Sequence, residues 1–240
     1  MNEIISRFYI KKKKFESFKK ILVIGEIGSN HDNDLKKCKK IILEAKKAGC
    51  DAVKFQLFKA DQLVSKRLNY KGYKILKKIE LKEDWIPVLS KFCKSNKILF
   101  ICSPFYNEAV NLLKKNNCDA IKIASPEIKN IPLVKKIIST NLPVIISTGD
   151  SNTNIINRVV KLLNRKNYRK VSFLHCTSQY PCETNNTNLL NILYLKKKLG
   201  SKISVGFSDH TLGIDASLMA VSMGANIIEK HITLNRKSKG

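Results

Sequence analysis

Eight short apolar runs separated by longer amphipathic stretches, a polar or charged residue closing almost every run, and a length of 240 residues predict a (β/α)8 (TIM) barrel. The runs fall at 21–25, 52–55, 98–102, 120–124, 143–147, 171–175, 203–206 and 225–229. Strands in a parallel sheet are covered on both faces, so they read as continuous apolar segments. Helices with one apolar stripe are expected at 34–47, 82–95, 107–116, 131–139, 153–164, 188–199 and 213–223. Residues 232–240 are too few for the eighth helix that would cover the closing seam. The expectation is therefore a barrel domain over 21–240 lacking its final helix, from a truncated gene product, a fragment or the first part of a longer protein. Residues 1–20 place Phe8, Tyr9, Ile10, Phe15 and Phe18 among lysines and are expected as a leader that caps the barrel's underside or stays loose.

Composition narrows the function classes. No apolar run reaches the roughly 18–20 residues that span a bilayer, and the lysine-broken N-terminus has no signal-peptide pattern, so a cytoplasmic protein is expected. Seven cysteines in an odd count, several inside apolar runs and none in a C-x-x-C pair, argue against a disulfide framework or structural zinc. The net charge of +26 is mostly lysine, spread as pairs such as Lys36–Lys37 and Lys114–Lys115. That pattern reads as solvated helix faces, and no nucleic-acid motif accompanies it, so no nucleic-acid partner is expected.

In barrels of this class chemistry sits where the strands end. Glu26 follows the first run, Lys54 and Gln56 share one face of the second, and Ser103 ends the third. Lys122 lies in the fourth, with Ser125 and Glu127 beyond it, and Ser147 ends the fifth. His175 and Ser178, Ser208 and His210, then Glu229 and His231 close the last three. Lys54 and Lys122 are flanked by apolar neighbours, so their ammoniums should point into the barrel, where an unpaired charge costs several kcal/mol. A carboxylate such as Glu26 or Glu127 can supply the partner. The hydroxyls of Ser103, Ser125, Ser147 and Ser208 around them suit a bound phosphate and carboxylate better. His210 and His231 end neighbouring runs beside Asp209 and Glu229, an arrangement able to hold a divalent ion such as Mn²⁺, Fe²⁺, Co²⁺ or Zn²⁺, or to serve only as hydrogen-bonding residues. His175 is read as structural or supporting.

These segments resemble the barrel of the N-acetylneuraminate (sialic acid) synthase family, which includes pseudaminic and legionaminic acid synthases. The motifs are Glu26-Ile-Gly-Ser-Asn-His31, Asp51-Ala-Val-Lys-Phe-Gln56, Ser103-Pro-Phe105, Lys122-Ile-Ala-Ser-Pro-Glu127, Ser147-Thr-Gly149, His175-Cys-Thr-Ser-Gln-Tyr-Pro181, Gly206-Phe-Ser-Asp-His-Thr211 and Glu229-Lys-His231. The resemblance implies a phosphoenolpyruvate-dependent transferase acting on an amino-sugar aldehyde. It implies phosphoenolpyruvate binding by Lys54, Ser103, Lys122, Ser125, Ser147, Ser178 and Ser208, and sugar binding by Gln56 and Tyr180. Glu26 and Glu127 match the acid/base carboxylates. His210 and His231 match the ligands of a divalent metal, manganese first, with magnesium or cobalt as alternates. A homodimer is a further expectation.

Departures from the family pattern are Ser103 for a common threonine, Tyr106 and Asp150 for a common aspartate and methionine, and Pro126 in the fourth-strand motif. The chain ends before the usual Pro-Asp-His segment, and the C-terminal antifreeze-like domain is expected to be absent. Rival expectations are a pseudaminic or legionaminic precursor as substrate, a ketose-acid synthase using an unmodified sugar phosphate, an inactive remnant or scaffold, and a nucleic-acid-binding barrel.

Overall fold

The structure, a computed structural model, describes residues 4–238. The chain opens with an antiparallel hairpin of β1 (Arg7–Ile10) and β2 (Lys13–Glu16). Eight parallel strands follow: β3 (Leu22–Gly28), β4 (Ala52–Leu57), β5 (Leu99–Pro104), β6 (Ala120–Ile123), β7 (Val144–Ser147), β8 (Val171–Cys176), β9 (Ser204–Asp209) and β10 (Ile227–His231). They close into a barrel in sequence order, with β10 beside β3. The helices are α1 (Leu35–Lys47), α2 (Ala60–Leu63), α3 (Tyr70–Lys78), α4 (Trp85–Ser95), α5 (Asn107–Lys115), α6 (Ile131–Ile138), α7 (Thr153–Leu162), α8 (Leu190–Leu199) and α9 (Asp215–Ser222). All the expected strands and helices are present. The additional helices are α2 and α3; the apolar residues of α3 are spaced for one face, yet none of them is buried. No helix follows β10 among the described residues, and none there is long and apolar enough to cross a membrane.

The described residues divide into two compact units, 25–121 with 231–238 and 4–24 with 122–230. In the first, Val53, Phe55 and Leu57 of β4 and Phe100 and Cys102 of β5 join Ile41 and Ile42 of α1 and Leu89 of α4 in one buried cluster. Each such side chain contributes roughly 1.5–3 kcal/mol by leaving water. Because side chains alternate along a strand, this outward packing turns Lys54, Gln56 and Ser103 to the opposite, inner face. Asp34 fixes the start of α1 by accepting from the Lys36 and Lys37 amides, and Lys46 and Lys47 complement the dipole at its end.

In the second unit the hairpin buries Phe8, Ile10 and Phe15 completely. The Ser17 hydroxyl donates to the Gly224 carbonyl at 2.8 Å, and Asn226 Nδ2 donates to the Ser6 and Phe15 carbonyls at 3.3 and 3.4 Å. Much of the expected leader is thus a covered hairpin fastened where the chain enters β10; residues 1–3 lie outside the described residues. Lys196 of α8, although buried, donates to the Met223 and Gly224 carbonyls at the end of α9, where a cation is favoured. Glu16 is held by Arg7, Lys19 and Lys14, which lower its carboxyl pKa to about 2.

Candidate active site

In the first unit, the inner-face residues of β3 and β4 form a tight polar group. Lys54 Nζ lies 2.8 Å from Glu26 Oε1, and Gln56 Nε2 donates to the same oxygen at 2.7 Å. Both members of the ion pair are buried. Ser103 is level with Gln56 on the neighbouring strand. The Ser103 hydroxyl and Glu26 Oε2 are buried with no hydrogen-bond partner among the described residues, which costs about 1–3 kcal/mol apiece until something satisfies them. His231 stands beside this group: a Cβ on Gly28 would meet His231 Cε1 and Glu26 Oε1, each at 3.5 Å. His31 is buried against Phe55 and Trp85, and its Nδ1 accepts from the Asn33 amide. Burial lowers its pKa to about 4, so it is a neutral packing residue.

In the second unit, Lys122 Nζ donates to Ser147 Oγ at 2.6 Å and lies 3.8 Å from Glu229 Oε1. Ser208 Oγ donates to the same Glu229 oxygen at 3.1 Å and sits 3.5 Å from His210 Nε2. His210 Nδ1 is 2.7 Å from the Thr177 carbonyl, and the Tyr180 ring lies over the imidazole with centroids 4.0 Å apart. Nearby, Ser125 Oγ meets Cys176 Sγ at 2.9 Å and accepts from the Gly149 amide at 3.2 Å. Gly149 is required by this crowding, since a Cβ would fall 2.5 Å from Cys176 Sγ and 2.8 Å from Ser178 Oγ.

Several expectations change. A carboxylate beside Lys122 is Glu229 of β10, which the sequence reading did not name as its partner, while Glu127 lies in a 3-10 turn (Pro126–Lys129). There Glu127 Oε2 accepts from Asn130 Nδ2 at 2.9 Å. Both buried lysines therefore have a carboxylate before any anion arrives. Asp209 faces away from its neighbours Ser208 and His210, as strand alternation requires, and brackets the start of α9 through Thr211, Ser217 and Lys230. Burial pushes its carboxyl up, but Ser217, Lys230 and Thr211 outweigh that and hold it below the usual range. His175 packs outward on Phe207 and donates Nε2–H to the Thr187 carbonyl at 2.6 Å, a supporting role. Sequence reading missed the link from Glu229 to Lys122; its signal was that Ile227, Glu229 and His231 share one strand face.

His210 suits a metal. A carbonyl can only accept, so Nδ1 carries a proton, and in the neutral ring the lone pair is then on Nε2. Among the described residues no three His, Cys, Asp or Glu side chains are grouped to hold an ion, so a metal bound by imidazoles would need water or substrate oxygens to complete its shell.

The NeuB family model matches residues 41–240. An uncharacterised protein of Methanocaldococcus jannaschii is 40% identical across 91% of this chain and 64% of its own length. The N,N'-diacetyllegionaminic acid synthase of Campylobacter jejuni is 38% identical across 92% of this chain and 70% of its own length. The chain thus spans about two thirds of the length of these relatives. The crystal structure of an N-acetylneuraminic acid (sialic acid) synthetase from Leptospira borgpetersenii superposes with a TM-score of 0.91 at 31% identity, over 98% of this chain and 81% of that one. With the strand-end residues in place and most of the chain matched, this protein belongs to the NeuB family.

Proposed function

We propose that the protein condenses phosphoenolpyruvate with the open-chain aldehyde of an N-acetylmannosamine-like sugar, giving a nonulosonic acid and phosphate. The observation that carries this reading is the hydrogen-bonding capacity of Ser103 Oγ and Glu26 Oε2, buried beside a lysine ammonium and otherwise unsatisfied. A ligand bearing phosphate, carboxylate and hydroxyl groups supplies what both lack.

In this proposal Lys54 and Lys122 hold the phosphate and carboxylate, with Ser103, Ser125, Ser147, Ser178 and Ser208 orienting their oxygens. Gln56 and Tyr180 face the sugar. The enol carbon bonds to the aldehyde carbon as the C=O π pair passes to the aldehyde oxygen, which takes up a proton to become a hydroxyl, leaving a cationic carbon at the former enol position. Water adds there, its proton passes to a glutamate, and phosphate departs with carbon–oxygen cleavage. Glu26 suits the base better than Glu127, whose Oε2 is engaged by Asn130. Held by His210 and His231, a divalent ion (Mn²⁺ first, Mg²⁺ or Co²⁺ as alternates) would supply Lewis-acid polarisation of the aldehyde oxygen. Positioning of the two reactants supplies much of the rest.

The test follows ¹⁸O from the bridging position of phosphoenolpyruvate: it should leave in the phosphate. Label retained in the sugar acid would overturn the route. A second reading, a di-N-acetylated hexose as the sugar, is favoured by the 38% identity to the legionaminic acid synthase. Product analysis against a hexosamine panel separates the two.

A further inference from the structure

A cleft of about 350 Å³ opens between the loop after β7, the end of β8 and the first turns of α8, within the range of small-molecule sites, about 300–1,000 Å³. In a chain that is 27% charged, none of its thirteen lining residues is Asp, Glu, Lys or Arg. The lining imidazole, His175, is kept neutral by burial. What the walls present is neutral and polar: the amides of Asn152, Asn188 and Asn191 and the hydroxyls of Thr153 and Tyr194. Thr153 Oγ1 and Tyr194 OH meet at 2.9 Å and bridge α7 to α8. The Tyr194 ring is 46% exposed, leaving an aromatic surface on which the C–H face of a sugar can lie.

The geometry points to a second binding site, one that takes a neutral sugar carrying hydroxyl and amide groups. Amides and hydroxyls give and accept neutral hydrogen bonds, and the cleft offers no charge to hold a phosphate or carboxylate. Its floor is shared with the strand-end cluster. Gly149 and Cys176 hold Ser125, and the Thr177 carbonyl holds His210. Occupancy of the cleft is therefore placed to bias the setting of those two side chains, and any such coupling must be reciprocal. The site itself stands whether or not the condensation does.

The experiment is calorimetric titration with N-acetyl-D-mannosamine as probe. It uses Gln56→Ala, which removes the proposed sugar contact at the strand ends, then Gln56→Ala carrying Asn191→Trp or Tyr194→Ala. Asn191 and Tyr194 are surface positions, and melting curves verify folding. Gln56→Ala should bind the probe with Kd on the order of millimolar, and each added substitution should weaken binding about tenfold or more. Glucosamine, cationic at neutral pH, should bind far less. Equal binding with and without Asn191→Trp and Tyr194→Ala, or glucosamine bound as well as the neutral sugar, would overturn the site. So would complete loss in Gln56→Ala alone, a result that supports the strand-end sugar position instead.

Discussion

Lys54 and Lys122 both sit on inner strand faces, both are buried, and both are accompanied by a glutamate, yet the two pairs are built differently. Lys54 touches Glu26 at 2.8 Å, and Gln56 locks the same carboxylate oxygen. Lys122 donates to a neutral hydroxyl at 2.6 Å and keeps Glu229 a full ångström further than Lys54 keeps Glu26. Coulomb attraction falls with distance, so the second pair is weaker by roughly a quarter at equal dielectric. The difference teaches that burial of a lysine can be balanced by direct neutralisation or by a hydroxyl relay.

If both histidines serve one ion, His210→Ala and His231→Ala should each lower turnover by about 10³-fold or more, and chelation should do the same with recovery on adding Mn²⁺. Unequal losses would separate the histidines functionally. Next in size, Glu26→Gln should reduce kcat by about 10²–10⁴-fold, whereas Glu127→Gln should cost less than about tenfold; the reverse order would exchange their roles. On stability, Lys54→Met should lower the unfolding free energy by about 3–5 kcal/mol, leaving Glu26 buried beside it. Lys122→Met should cost about 1–3 kcal/mol, and urea melts giving equal losses would erase the contrast drawn above. An effect similar in size to that of Lys122→Met, but confined to acid pH, concerns His31. Its folded pKa, about 4, lies below the ordinary 6.5, so the neutral ring contributes stability that is full above pH 6.5 and is lost as pH falls through 4. Up to about 3 kcal/mol should disappear across that window and be flattened by His31→Phe in acid-titrated thermal melts.

The barrel was legible because strands buried on both faces and helices with one apolar stripe write their periods into sequence. The hairpin was obscured: Phe8, Ile10 and Phe15 alternate over strands of only four residues, among lysines that point to solvent. Of the site, strand-end position and side-chain parity identified the residues. Partner choice was not legible. Lys122 and Glu229 meet across more than a hundred residues of chain, and nothing local distinguishes Glu229 from Glu127 until the strands are arranged. Likewise the proton on His210 is fixed by a backbone carbonyl, which carries no side-chain signature.

The hairpin's fastening has a consequence for biosynthesis. Ser6, Phe15 and Ser17 are tied to Gly224 and Asn226, so this segment waits for partners synthesised more than two hundred residues later before it can dock. Until then its aromatic side chains travel with the nascent chain uncovered, as long-range closure of this kind is slow and exposes sticky surface. The lysines set among them keep that waiting segment charged.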